Sequence, residues 1–288
     1  MHGTGVPLLT PFDDAGDLQE SELRELVSWV EDRGVDFIVP CGSNSEAELM
    51  SVEERARVVE IVAEASSVPI LAGTGHPGLR ETMRQTTLAA EAGADAALVI
   101  TPFYFDHDDE TMIDYYHTVA DESPIPVFLY SVPAYTDVAL TPEVVGELAD
   151  HENIVGMKDS SGDLTRLQRE RARTEDADFD LLVGSGSIYA AGLDAGADGG
   201  VLALANVAPE RANEIYELHR GGHDEQARQL NARLVELNRA ITAQYGVPGA
   251  KAVMKARGAP AGAPRRPHRS VSDVVRDELE DLSQVAEH

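Results

Sequence analysis

Short apolar runs alternate with amphipathic helical patterns through most of this sequence, and no other feature constrains the fold as strongly. The runs lie at residues 6–9, 37–40, 69–72, 97–101, 127–130, 154–158, 181–183 and 200–203. Between them lie stretches such as SELRELVSWVEDRG, SVEERARVVEIVAEAS and LRETMRQTTLAAEAG. Ser21, Ser51 and Thr141 are placed to cap helices, since a short side-chain oxygen accepts from a free first-turn N–H. Gly34, Gly93 and Gly196 are placed to end them, where the chain needs a left-handed residue. Continuous apolar strands alternating with helices predict a parallel sheet covered by helices. Eight such units before about residue 220 are the number that closes an α/β (β/α)8 TIM barrel.

Two fragments, EAGADAALVI and DAGADGGVLAL, echo each other as helix end, Gly-Ala-Asp turn and strand, which fits barrel repetition. After RGGHDE, residues 220–225, the pattern changes. QARQLNARLVELNRAITAQYG reads as one long amphipathic helix, and RGAPAGAPRRPHRS as a Pro/Gly/Arg loop between the last helices. The expected organisation is a catalytic barrel over residues 1–221 and a C-terminal helical extension over 222–288, packed on the barrel.

Charge bounds the partners. Fifty-one acids face 23 bases, a net charge of −28, and the acids are spread along the chain. Nucleic acids and anionic membranes are recognised by basic patches, so neither is an expected partner. Dispersed acidity with only three lysines suggests a protein adapted to high salt, where screening weakens self-repulsion. No apolar stretch approaches the ~20 residues needed to span a bilayer. The N-terminal MHGTGVPLLTPF has no basic head, and the single Cys41 has no intramolecular partner, so a reducing cytoplasm is expected.

Barrel chemistry sits at the C-terminal ends of the strands. Those ends read Thr10-Pro11, CGSNSE, TPFYF, YSVPA, Lys158, GSGS and GGVLALAN. A lysine, two tyrosines, hydroxyls and an amide therefore converge on one mouth. Lys158 stands in the apolar, Gly-flanked run NIVGMKDSSGD. Isolated, it would most simply be paired with Asp159 or another acid. With Tyr130 on the neighbouring strand and a Gly-Ser-Asn turn after strand two, nucleophilic chemistry is the stronger reading. A partly desolvated amine attacks a ketone to form a Schiff base, and the iminium permits carbon–carbon cleavage or formation beside it. Tyr130 is placed to move the protons.

The motifs GTGVPLLTPF, GSNSE, TPFYF, YSVP, IVGMKDSSGD and GADGGVLALANVAPE resemble those of the pyruvate-dependent class I aldolases that include dihydrodipicolinate synthase and N-acetylneuraminate lyase. The resemblance runs from residue 3 to about residue 260. It implies that Lys158 is the Schiff-base lysine and Tyr130 the general acid/base. It implies that Gly42, Ser43 and Asn44 form the turn holding the pyruvyl carboxylate, and that Gly184 and Val201 line the pyruvyl pocket. Tyr104 matches the tyrosine that completes a proton relay with Ser43 and Tyr130, often across a tight dimer contact. No metal and no organic cofactor is implied, and a homotetramer built as a dimer of dimers is.

Two departures bear on the substrate. Ser45 replaces a family glycine in the turn. Tyr135 stands where the dihydrodipicolinate synthases carry an arginine that holds a second carboxylate. A phenol offers one neutral donor where a guanidinium offers a bidentate, charged one. GSN, YSVPA and YGVPGAKAVM look more like the 2-keto-3-deoxygluconate and 4-hydroxy-2-oxoglutarate aldolase branches. The expected reaction is therefore cleavage of 2-keto-3-deoxygluconate, or its 6-phosphate, to pyruvate and glyceraldehyde or its 3-phosphate. The alternatives are 4-hydroxy-2-oxoglutarate aldolase and condensation of pyruvate with aspartate semialdehyde.

The remaining candidates read as structural. The nine histidines, His288 among them, show no metal-binding spacing. His107 reads as a solvent-facing loop residue and Cys41 as a buried filler. GTGHPG, residues 73–78, lacks phosphate-loop spacing and reads as a tight turn. Arg265, Arg266 and Arg269 form the only basic cluster and read as a surface or interface feature, with a phosphate contact conceivable.

Overall fold

The structure, a computed structural model, describes residues 1–286. Eight parallel strands form one sheet in the order β2-β1-β8-β7-β6-β5-β4-β3. They are β1 (Gly3–Val6), β2 (Phe37–Ile38), β3 (Leu71–Gly73), β4 (Ala96–Ile100), β5 (Val127–Ser131), β6 (Ile154–Asp159), β7 (Asp180–Val183) and β8 (Gly199–Val201). A parallel bridge between Ile38 and Ile70 closes the sheet on itself, which makes it the predicted (β/α)8 barrel. Inside lie Phe37, Val39, Leu71, Leu98, Phe128, Tyr130, Leu182 and Val201 as one buried cluster. A second, larger cluster fills the space between strands and helices.

The helices between strands are α1 (Glu20–Glu31), α2 (Val52–Ala65), α3 (Leu79–Glu91), α4 (Asp109–Glu122), α5 (Pro133–Thr136), α6 (Pro142–Leu148), α7 (Leu164–Arg173) and α8 (Tyr189–Asp194). After β8 come α9 (Leu204–Val207) and α10 (Pro209–Arg220). Ser51 caps α2 with a full capping box: its hydroxyl accepts from Glu54 N, and its own N–H donates to the Glu54 carboxylate at 2.8 Å. Thr141 caps α6 without such a box, its hydroxyl accepting from Val144 N. Gly34, Gly93 and Gly196 all take positive φ just after helices, as their positions predict. Ser21 is not a cap; α1 begins one residue earlier, after Gln19.

β1 lies three residues before its expected place. The apolar run after Val6 drew the expectation, but the strand itself is Gly-Thr-Gly-Val, and Pro7 follows with no N–H to donate. A Cβ on Gly5 would stand 2.3 Å from the Phe37 ring, so the glycine makes room for a large neighbour inside the barrel.

The extension consists of α11 (Asp224–Arg239), a π turn over Ala240–Gln244, α12 (Gly246–Ala256) and α13 (Asp273–Ser283). Its last two residues, Glu287 and His288, lie outside the described residues. Leu234, Leu237, Ile241, Val253, Met254 and Leu279 belong to the same buried cluster as the barrel helices. Asn231 fastens α11 to the barrel, donating to Gly186 O at 2.7 Å and accepting from Ala190 N at 2.9 Å. No helix among the described residues is long and apolar enough to cross a membrane.

Candidate active site

β5 and β6 pair so that Tyr130 lies directly beside Lys158, and both side chains belong to the barrel interior. The Lys158 ammonium sits 4.3 Å from the Tyr130 ring centroid, over its face. Lys158 is 4% exposed. Among the described residues it makes no ion pair and no hydrogen bond. Asp159 does not serve as its partner. Strand alternation turns Asp159 away, where it accepts from Ser161 N at 2.9 Å and Ser161 Oγ at 2.7 Å. Burial pushes the Asp159 carboxyl above its usual range despite those bonds.

Residues Ser43–Ser45 form a single 3-10 turn after β2. Ser45 is buried, accepts from Gly42 N at 3.2 Å and donates to Leu8 O at 2.5 Å. The serine that replaces the family glycine therefore ties the turn to the end of β1. The Ser43 and Asn44 side chains are half-buried and carry no hydrogen bond among the described residues. Nothing lies within 4 Å of a Cβ placed on Gly42, which fits a position facing open space.

A cavity of about 570 Å³ opens beside this turn. Gly42, Ser43, Tyr130 and Tyr135 line it, together with Leu98, Ile100 and Phe103. Desolvation, and then the nearby Tyr130, raise the Tyr135 phenol above its ordinary pKa, although the residue as a whole is exposed. Tyr245, His268 and Arg269 bring the C-terminal extension into the wall.

The other sequence candidates divide. Lys158, Asn44, Gly184, Val201 and Tyr104 do not line the cavity. Lys158 touches it through Tyr130. Val201 is fully buried inside the barrel with Tyr130. The space a Gly184 side chain would fill is taken by Ser160, whose Oγ would stand 1.8 Å from such a Cβ. Tyr104 sits on the loop after β4 with a positive φ and 86% of its surface exposed, stacked edge-on against Phe105. The chain itself does not bring it to Ser43 or Tyr130. His107 is exposed. Burial pushes the Cys41 thiol up to about 11, which leaves it a filler with little thiolate character.

The sequence reading overlooked Glu46 and Lys251. Glu46 directly follows the Ser43–Ser45 turn, is buried, and takes φ 59°. It accepts from Lys251 Nζ at 2.6 Å and from Arg265 N at 2.8 Å, and lies 3.0 Å from His268 Nδ1. Lys251 also donates to Thr10 O at 2.7 Å and Ala263 O at 2.8 Å. The signal was present. Lys251 is another of the three lysines set in an apolar segment, GVPGAKAVM, the argument that singled out Lys158.

The sequence profile of the dihydrodipicolinate synthetase family matches residues 1–286. A 4-hydroxy-tetrahydrodipicolinate synthase from Methanothrix thermoacetophila is 38% identical, over 98% of this chain and 96% of its own length. A DapA-like lyase from Halobacterium salinarum, itself uncharacterized, is 36% identical over 97% of this chain and 92% of its own. Among solved structures, YagE from E. coli K12, a dihydrodipicolinic acid synthase family protein in complex with pyruvate, superposes with a TM-score of 0.95. It is 28% identical and is covered over 99% of its chain by all of this one.

Proposed function

The chain belongs to the dihydrodipicolinate synthetase family, the class I, pyruvate-dependent Schiff-base lyases, and from that premise we propose that Lys158 binds pyruvate covalently and Tyr130 carries the protons. The observation that carries this reading is the bare Lys158 amine, 4.3 Å from the ring of a tyrosine that lines the cavity. Lys158 Nζ attacks the pyruvate C2 carbonyl, and loss of water leaves an iminium. Removal of a C3 proton gives an enamine, which attacks the aldehyde carbon. Hydrolysis or intramolecular attack by the product's amine then frees the lysine. The Tyr130 hydroxyl, which has no hydrogen bond of its own among the described residues, passes protons at each stage. Ser43 and Asn44 hold the pyruvyl carboxylate with their unpartnered donors. The flexible four-carbon stem of Lys158 brings the amine past Tyr130 to the bound carbonyl. Tyr104, exposed on its loop, completes the relay in the site of a second copy, within a homotetramer.

The aldehyde is aspartate semialdehyde in this reading, and the product a 4-hydroxy-tetrahydrodipicolinate. Relatives carrying that synthase name at 38% and 36% identity support it over the 2-keto-3-deoxygluconate cleavage expected from the motifs. The sugar-acid reaction stays as a second reading because of one observation: Tyr135, a neutral donor, lines the cavity where an arginine would grip a second carboxylate. Incubation with pyruvate and borohydride tests the common core. Permanent mass gain in the wild type, absent in Lys158→Ala, is the expected result; trapping that survives in Lys158→Ala would remove Lys158 from the chemistry. Comparing kcat/KM for aspartate semialdehyde, glyceraldehyde and glyceraldehyde 3-phosphate then separates the two readings.

A further inference from the structure

We propose that Arg269, on the loop between α12 and α13, is the distal-anion subsite of the cavity. Its guanidinium takes the carboxylate or phosphate at the end of the aldehyde substrate remote from the reacting carbonyl. The inference rests on the pyruvate-lyase reading above and supplies the charge that Tyr135 cannot.

Three observations point to it. Arg269 shares the cavity with Ser43, Tyr130 and Tyr135. Its guanidinium is also free: it makes no ion pair and no hydrogen bond among the described residues. Among the described residues Arg80, Arg233 and Arg266 are likewise unpaired but do not line the cavity, whereas Arg57 holds both Glu20 and Glu60, and Arg228 both Asp194 and Glu225. Two neighbouring guanidiniums already carry hydrogen bonds, although Arg55 Nε has no partner among the described residues. Arg55 also lines the cavity, but it is buried, donates to Gly73 O at 3.1 Å and lies 3.9 Å from Glu48. Arg265 is held by Glu54 at 2.9 Å and by Leu49 O at 2.9 Å.

The third observation is that the loop carrying Arg269 is anchored to the turn that holds pyruvate in this reading. Arg265 N and the His268 ring both reach the Glu46 carboxylate, two residues beyond Asn44. His268 N also donates to Arg265 O at 3.0 Å. The backbone before Arg269 is therefore fixed relative to Ser43 and Asn44, while its side chain is left unpaired beside the cavity. A planar guanidinium on a fixed loop binds a carboxylate or phosphate with two charge-assisted hydrogen bonds. The shared chemistry is a distal anion, and the substrate decides whether carboxylate or phosphate supplies it.

The test uses full-length wild type, Arg269→Gln and Arg269→Lys at one fixed salt concentration, since screening weakens an exposed ion pair. Borohydride trapping of pyruvate is measured first, and then kcat/KM with aspartate semialdehyde, glyceraldehyde 3-phosphate and uncharged glyceraldehyde. In Arg269→Gln the ratio of kcat/KM for the anionic to the neutral aldehyde should fall roughly 10–100-fold, mainly through KM. Arg269→Lys should recover part of it, because an ammonium keeps the charge but not the fork. A fall confined to aspartate semialdehyde identifies a carboxylate subsite, and one confined to glyceraldehyde 3-phosphate a phosphate subsite. An unchanged ratio overturns the inference, as does an enzyme that traps pyruvate yet uses neither anionic aldehyde. If wild type does not trap pyruvate, the Schiff-base reading fails first and takes this one with it.

Discussion

Lys158 and Lys251 are both buried, at 4% and 1% exposure, yet their surroundings differ in kind. Lys251 spends its ammonium on three acceptors: the Glu46 carboxylate and the carbonyls of Thr10 and Ala263. Burial lowers its pKa to about 8, with Glu46 pulling the other way. Lys158 has no acceptor among the described residues and faces an aromatic ring beside an open cavity. A saturated lysine stabilises one geometry; its lone pair is not available without breaking three bonds. A bare lysine can change protonation and form a covalent bond without disturbing its neighbours. Burial alone does not separate these two lysines, whereas the count of acceptors around the amine does.

The sharpest way to break this comparison is to exchange the roles. Lys158→Ala should lose pyruvate trapping and turnover entirely while remaining folded. Lys251→Met should still trap pyruvate whenever it folds. If the trapped mass maps to Lys251 by peptide mass spectrometry, the contrast between the two lysines is wrong. Tyr130→Phe comes next. It keeps the ring under the Lys158 amine and removes only the hydroxyl, so it isolates proton transfer from the cation–π contact. The expected loss is about 10²–10⁴ in kcat; an unchanged rate in single-turnover kinetics would assign the protons to another group.

For Lys251 the expected effect is on stability. Removing one partner of a buried ion pair strands the other charge and costs about 3–5 kcal/mol. Lys251→Met should lower the urea midpoint accordingly, and Glu46→Gln added to Lys251→Met should restore part of the loss, because the stranded carboxylate is gone. A single variant that loses less than about 1 kcal/mol would mean that water or a moved side chain replaces the lysine.

How far the molecule was legible follows the same division between local and distant partners. Ser51, Thr141 and the helix-ending glycines were readable because each acts within a few residues of itself. Lys158 beside Tyr130 was readable because adjacent parallel strands bring their ends together. β1 was misplaced because glycines in a strand carry no apolar signal, and the reason for Gly5 is Phe37, on another strand. The Glu46 network was hidden for a stronger version of that reason: Lys251 and His268 lie 205 and 222 residues away in sequence. Nothing near Glu46 announces that the last helices return to it. Tyr104 shows the converse limit, since a motif match named it but this chain leaves it 86% exposed.

A third buried charge refines the comparison, with no expected effect on pyruvate trapping. Glu170, on α7, is fully buried, and both carboxyl oxygens lack a hydrogen-bond partner. It is as bare as Lys158, but the charged groups around it, Asp159, Asp163, Arg166 and Arg169, do not line the cavity, so lack of a partner marks a reactive group only where a substrate can arrive. Burial, reinforced by Asp159 and Asp163 against the opposing Arg166 and Arg169, pushes its carboxyl up to about 9. The folded protein therefore holds a proton there that the unfolded chain releases near the ordinary value of 4.5. Between those two values the native state binds more protons than the unfolded state, so stability falls as pH rises, by up to about 1.4 kcal/mol per pH unit. Glu170→Gln, which keeps the shape and cannot ionise, should flatten that slope in urea melts taken from pH 5 to pH 9 and leave pyruvate trapping untouched. An unaltered slope would place the proton elsewhere, with Asp159, whose carboxyl is also raised by burial, the next group to replace.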